Sequence, residues 1–377
     1  MPETNANALL EGIREWVEIE TPTSDPAGVN RLMTLVASQF AAIGAHVERV
    51  PGRDNRGDHL SITSPWAAPR GENSAGILVL SHLDTVHPTG TLAKQLPFRV
   101  EGDNAYGPGI CDMKGGAYLG YAAYRAIAAD PRLQKLPIRL LYTSDEEVGS
   151  PTSRALIEAA AASAKYVLVT EAARDGGKIV VARKGVGRYD ITTHGRPAHS
   201  GARHADGRSA ILEMARQVIA IEAITDYARG ITVNVGQISG GTADNVVPQT
   251  CTAAIDLRVK TMADADEMHR RLTSLAPHGP DLTVEVSGSL NRLPYEESAA
   301  SRRLFDHARI CAREFGIDLQ GIATGGGSDG NFTAHKVATL DGLGCDGFGA
   351  HTLSEHLFVS SLVPRKMLLQ RLLSTLT

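Results

Sequence analysis

Residues 76–84 read GILVLSHLD: an unbroken apolar run that ends in a serine and a histidine, with an aspartate two positions beyond the histidine. Two further short apolar runs follow, IRLLYT at 138–143 and KYVLVT at 165–170. Between them lie KGGAYLGYAAYRAIAA at 114–129 and SRALIEAAAASA at 153–164, both rich in helix formers. Strands that are apolar on both faces and joined by helices are what a parallel sheet covered on both sides requires. The N-terminal half is therefore expected to be α/β, with a doubly wound, mostly parallel sheet.

From about Gly185 the pattern changes. GVGRYDITTHG (185–195), a helix from about Gly207 to Ala228, GITVNVGQI (230–238), CTAAIDLRVK (251–260), a helix near Asp264–Leu275 and DLTVEVSGS (281–289) follow in turn. That order is β-α-β-β-α-β, the ferredoxin-like split motif. After Pro294, a helix around Ser301–Phe315 and the run KVATLDGLG (336–344) resume the first pattern. The expected division is a catalytic domain over 1–184, an inserted α+β domain over 185–293, and the remainder of the catalytic domain over 294–377.

A chain of 377 residues exceeds one ordinary core, which agrees with two domains. A formal charge of -4 argues against binding nucleic acid by phosphate neutralisation. No apolar run approaches the ~18 residues of a membrane span. The first twenty residues carry acids throughout and read as an amphipathic helix, not a signal peptide, so a cytoplasmic protein without membrane partners is expected. Cys111, Cys251, Cys311 and Cys345 are widely spaced with no CxxC pair, and are expected to be reduced, buried thiols.

Each parallel strand runs directly into side chains that can bind a metal. GILVL leads to Ser81, His82 and Asp84; IRLLYT leads to SDEE with Glu146 and Glu147; KYVLVT leads to Glu171. The glycine-rich loop YGPGICDMKGG (106–116) delivers Asp112 just before a helix. Open α/β sheets gather their sites at the carboxyl ends of the strands, so these groups should share one crevice. Taken singly, such an acid would serve as a helix cap. Taken together, carboxylates about 4 Å apart repel by roughly 4 kcal/mol per pair at an effective dielectric of 20, and a shared cleft needs cations. The donor set suits zinc or a similar divalent ion, and its size suits two ions sharing one carboxylate.

The ordered set SHLDTV, GTLAKQLPFRVEGDNAYGPGICDMKGG, TSDEEVGS, GRPAHSG, NVVP, GGGSDGN and GFGAHTLSEH resembles a di-zinc peptidase family. That family includes acetylornithine deacetylase, succinyl-diaminopimelate desuccinylase, aminoacylase and bacterial glutamate carboxypeptidase, and the last is the most similar. The resemblance implies that His82 and Glu171 bind one zinc, Glu147 and His351 the other, and Asp112 both. It implies that Asp84 orients the His82 ring, that Glu146 is the general base toward a metal-bridging water, and that the Asp112–Met113 peptide is cis. His351, with Glu355 four residues on, keeps the family spacing, whereas His356 stands where an aromatic residue is usual.

For the inserted domain the resemblance implies a lid that also makes a homodimer. His199 in GRPAHSG would then reach a substrate carbonyl, with Asn245 nearby and Arg258 in support. Arg292 would bind the free carboxylate of a small N-acyl or peptidyl amino acid, Lys178 an acidic side chain, and Gly327 and Ser328 would line the pocket with backbone donors. The reading that follows is hydrolysis of the amide bond to a C-terminal, acidic amino acid. The alternatives are an N-acyl amino acid or acetylornithine-type deacylase and, in another class, a non-catalytic binding protein on the same fold.

Overall fold

The computed structural model describes residues 5–66 and 75–377. They form two compact units: Met1–Ala182 with Glu297–Thr324 and Ser328–Thr377, and Arg183–Glu296 with Gly325–Gly327. The chain is mixed α/β. Among the described residues no helix is long and apolar enough to cross a membrane.

The first unit opens with helices α1 (Ala6–Val17) and α2 (Pro26–Ala41). Asp25 caps α2, accepting the Gly28 N–H, and Pro26 occupies the first turn, where no N–H is needed. Strands β1 (His46–Val50), β2 (His59–Thr63) and β3 (Gly76–His82) follow, then the short α3 (Thr91–Lys94), β4 (Arg99–Glu101) and β5 (Asn104–Tyr106). Next come α4 (Gly115–Ala128), β6 (Ile138–Thr143), α5 (Arg154–Ala162), β7 (Ala164–Val169) and β8 (Ile179–Arg183).

The central sheet has the order β1-β2-β6-β3-β7, with β14 (Ala338–Leu340) beyond β7. β6, β3, β7 and β14 are mutually parallel, whereas β1 and β2 add antiparallel strands at one side, so the sheet is mixed. The apolar runs are buried on both faces. Ile77 and Val79 of β3 pack with Leu140 of β6 and Leu168 of β7 against α1, α2 and α4. Leu78 and Leu80, with Leu141, Val167 and Val169, pack against α5 and Phe332. At about 1.5–3 kcal/mol for each fully buried aliphatic side chain, this two-sided burial holds the carboxyl ends of the strands in fixed positions.

The second unit runs β9 (Gly185–His194), α6 (Ala210–Glu222), β10 (Thr232–Gly240), β11 (Thr250–Val259), α7 (Met262–Thr273) and β12 (Thr283–Arg292). Its strands form one antiparallel sheet in the order β10-β11-β9-β12. One face is covered by Met214 and Ile221 of α6 and Met268 and Leu272 of α7. Gly325–Gly327 clusters with this unit. The reason is local: the buried Arg183 donates to the carbonyls of Gly326 at 3.1 Å and Gly327 at 3.3 Å.

The first unit is completed by α8 (Ala299–Arg313), β13 (Gly321–Thr324), β14, β15 (Gly347–Phe348), β16 (His356–Phe358) and α9 (Val359–Thr375). β15 and β16 pair with β5 and β4 in a small antiparallel sheet beside the Asp112 loop. All four cysteines are free and buried.

Candidate active site and its relatives

His82 is the last residue of β3 and is 2% exposed. Its Nδ1 lies 2.9 Å from the Asp84 carbonyl oxygen, which can only accept, so Nδ1 carries the proton and Nε2 presents a lone pair. Nε2 faces Asp112 Oδ1 at 3.3 Å and Glu171 Oε1 at 3.7 Å. On the other side of the aspartate, His351 Nε2 is 3.3 Å from Asp112 Oδ2 and 3.1 Å from Glu147 Oε2. Asp112 thus stands between two imidazoles, one for each carboxylate oxygen. Ligand atoms of His82, Asp112 and Glu147 all lie within 4.8 Å of one another.

Backbone geometry places these groups. Asp112 lies in a turn between Gly109, whose φ is +70°, and α4, and the Asp112–Met113 peptide is cis. Gly116 at the start of α4 lets that turn close on the sheet, because a Cβ there would fall 1.9 Å from the Thr170 carbonyl oxygen. Thr170 directly precedes Glu171, so this approach brings the two acids together. His351 has φ +66°, a left-handed conformation uncommon for a non-glycine residue. His356 points elsewhere, its ring against Tyr106, Phe348 and Phe358.

The electrostatics follow from this crowding. Burial, then repulsion from Asp112, pushes the Glu171 carboxyl well above its usual range. Burial likewise raises Glu147, against its hydrogen bond with His351. Burial opposes charging of Asp112, yet its hydrogen bonds to His351 and His82 outweigh that and hold it below the ordinary value. Bonds to Asp112 and then Glu147 lift His351 to about 10. Burial disfavours a charged His82, but Asp112 and Asp84 override it and raise the ring well above normal. Two imidazole nitrogens and three carboxylates in this arrangement fit a divalent pair, whose binding requires the ligand atoms in their deprotonated form.

Asp84 has a second part besides its place at the His82 ring. Its carboxylate lies 3.5 Å from His82 Nδ1, with its carbonyl closer at 2.9 Å. The carboxylate also accepts the Thr23 hydroxyl at 2.7 Å and the backbone N–H groups of Glu146 at 3.2 Å and Glu147 at 3.3 Å. It therefore shapes the turn that presents both glutamates. Glu146, on that turn, is close enough to Glu171 to raise its pKa.

In the second unit, His199 and Asn245 lie on paired, exposed segments, with the Ser200 N–H donating to the Asn245 carbonyl at 3.0 Å. His199 Nδ1 accepts the N–H groups of Gly201 and Ala202, both at 3.2 Å, which makes Nε2 the protonated nitrogen of the neutral ring. Arg258 is held in a bidentate pair with Asp256 at 2.7 and 2.9 Å. Arg292 is buried, and Gly327 is glycine beside it because a Cβ would fall 2.8 Å from Arg292 Cδ.

Two further expected pocket residues have the following surroundings. Ser328 N–H donates to Asn331 in a capping box, and its hydroxyl donates to Asp341, so neither is left to line a pocket. Lys178 lies in a groove with Asp175, Asp318 and Asp346, which contains none of the clustered histidines and acids.

Residues whose importance the sequence did not reveal are Glu355, His87 and Thr23. In sequence Glu355 marks only the spacing from His351, yet it is 1% exposed and accepts three backbone N–H groups of the Asp112 turn.

Residues 78–375 match the family model Peptidase family M20/M25/M40. Carboxypeptidase G2 of Pseudomonas sp. (strain RS-16) is 30% identical over 367 residues, covering 96% of this chain and 87% of that protein. Succinyl-diaminopimelate desuccinylase of Azoarcus sp. (strain BH72) is 27% identical, covering 100% and 99%. Among solved structures, an M20 family metallo-carboxypeptidase from Sulfolobus solfataricus superposes with a TM-score of 0.74 at 16% identity, covering 99% of each chain. A dinuclear metal binding peptidase of the M20 family from Bacillus subtilis gives 0.69 at 13%, covering 98% of this chain and 97% of that one. With the family model spanning most of its length, the chain belongs to Peptidase family M20/M25/M40 and is a peptidase-type enzyme.

Proposed function

We propose that this enzyme holds two divalent metal ions, zinc by the character of the donors, and hydrolyses the amide bond to a C-terminal amino acid, glutamate or another acidic residue being preferred. His82 and Glu171 would hold one ion, Glu147 and His351 the other, and Asp112 both. The observation that carries this reading is the Asp112 carboxylate, with one oxygen turned to each histidine. The fold likeness to a dinuclear metal binding peptidase is consistent with it.

When bound, the ions supply Lewis-acid activation of water and of the scissile carbonyl. The chain supplies the rest. Glu146 takes a proton from the attacking water and returns it to the leaving amine, a role for which its turn is fixed by Asp84. His199 is suited to donate from Nε2 to the substrate carbonyl oxygen, since its Nδ1 is occupied by backbone donors. Arg292 would bind the free carboxylate, for which its planar fork is suited. Lys178 lies in a groove that Asp175, Asp318 and Asp346 line together with Arg365, and the acidic preference rests on Arg292 and on the likeness to carboxypeptidase G2.

The second unit would act as lid and as dimer interface, in the cytoplasm. Support for a dimer is an apolar surface on α6 and the free edge of β10. Leu212 is 55%, Ile219 73% and Ile238 57% exposed.

A deacylase is the second reading, favoured by the near-complete coverage of the desuccinylase. A hydrolysis screen of N-acyl and peptidyl amino acids, varied at the C-terminal residue and on the acyl side, separates the two. Release of acidic C-terminal residues from many acyl groups supports the first; strict dependence on one short acyl group supports the second. A protein that takes up no divalent ion and cleaves neither class would be the binding protein.

A further inference from the structure

We infer that Glu355, together with His87, is a positioning residue that sets the mutual geometry of the three segments carrying His82, Asp112 and His351; this rests on the metal reading above. The Glu355 carboxylate is almost wholly enclosed, and each oxygen receives two donors. Oε1 accepts the N–H groups of Cys111 and Asp112, both at 2.9 Å. Oε2 accepts the N–H of Gly109 at 2.9 Å and His87 Nε2 at 2.7 Å. Four donors match the four lone-pair positions of a carboxylate.

The connectivity gives this cluster its consequence. His87 stands five residues after His82, on the segment that leaves β3. Gly109, Cys111 and Asp112 form the turn whose successive N–H groups converge on one anion, an arrangement that holds a backbone in a single conformation. Glu355 itself ends two successive turns, of which the first contains His351, closed by bonds from Thr352 N to Gly349 O at 2.9 Å and from Glu355 N to Thr352 O at 3.3 Å. The strand that starts at His356 then pairs with β5, just before the Asp112 turn. One carboxylate therefore joins all three segments, through backbone N–H groups of the Asp112 turn and through the His87 ring of the segment that leaves β3, in addition to the β16–β5 pairing and the bond from Gly107 N to Glu355 O at 3.4 Å. Its loss would let Asp112 shift relative to His82 and His351 while the sheet and helices stay in place.

The experiment uses the full-length protein in metal-free form. Zinc affinity is measured by competition with a chromogenic chelator, alongside the melting temperature of the metal-free protein and the kinetic constants of the loaded enzyme. E355Q places an amide NH2 against N–H donors, and H87A removes one donor. For E355Q the expected result is zinc binding about 10- to 100-fold weaker, the range found when groups that orient metal ligands are lost. kcat should fall with KM little changed, and the metal-free melting temperature should stay within a few degrees of wild type. H87A should move zinc affinity in the same direction by less, and the double variant should lose less than the product of the two.

Zinc affinity within about twofold of wild type in both variants, whatever happens to the melting temperature, would show a merely structural role and overturn the inference. If E355Q fails to fold, H87A decides by the same criterion, with H87Q, which can still donate, expected to restore part of the affinity. A wild-type protein that binds no divalent ion would overturn the metal reading and this inference with it. Two ions on wild type with unchanged affinity in the variants would overturn this inference alone.

Discussion

Asparagine in place of Asp84 tests the role that the structure gives this residue. The side chain is fully buried and its carboxylate serves three donors, the Thr23 hydroxyl and the N–H groups of Glu146 and Glu147. Asparagine keeps one acceptor oxygen. Oδ2 takes two of the donors, so the less costly rotamer keeps oxygen there and turns NH2 toward the Glu146 N–H and the His82 ring. The Glu146 N–H then loses its acceptor and faces another donor. An unsatisfied buried group costs about 1–3 kcal/mol. If that cost falls on the turn carrying Glu146, at tenfold per 1.36 kcal/mol, kcat should drop roughly 5- to 150-fold. Thr23→Val removes a single hydroxyl and should cost less. The assay is steady-state hydrolysis of an N-acyl or peptidyl substrate at saturating metal, with metal content measured in parallel. Activity of the asparagine variant within about twofold of wild type would refute the claim that this carboxylate positions the base.

Three further outcomes are expected. Glu146→Gln should lower kcat by about 10²- to 10⁴-fold, the usual contribution of a general base, while metal content and melting temperature stay near wild type. Burial lowers the pKa of His59, His307 and His335 in the folded chain, outweighing the nearby acids at His59. The unfolded chain then binds more protons, so stability is present above the unfolded value near 6.5 and is lost as the pH falls through the depressed folded values. Against the opposite contribution of the raised His82 and His351, the His59 part is read as a difference: between pH 8 and pH 5 the melting temperature of His59→Gln should fall less than that of wild type, and an equal slope would exclude His59 as a contributor. Ile219→Asp, on the exposed apolar face of α6, should shift the protein toward monomer in sedimentation analysis, whereas a wild-type monomer would remove the basis for the dimer.

What the sequence made legible followed from strong local signals. Runs such as GILVL are apolar on both faces because cores lie on both sides, and they become β3, β6 and β7. The acids immediately after those runs converge because parallel strands end at one edge. β1 was not foreseen, since HVERV carries charges on an exposed strand at the sheet margin and has no continuous apolar run. Asp84 and Glu355 illustrate a second gap. Both are single acids whose partners are mostly backbone N–H groups of distant segments, and nothing local to either residue announces such partners. Ser328 shows a related limit of local sequence. In a glycine-rich stretch a serine can line a pocket or cap a short helix, and only the position of Asn331 decides between them. Lys178 fits a family position by alignment of motifs, while its surroundings are set by the loop 174–178 and by Asp318 and Asp346, far away in sequence.

If two divalent ions share Asp112, the stoichiometry of metal binding must show it. Metal-free protein titrated with zinc and read by emission spectroscopy after desalting should retain two ions per chain. Asp112→Asn should retain one ion weakly or none. A wild-type plateau at one ion, or a variant that still binds two with undiminished affinity, would contradict it.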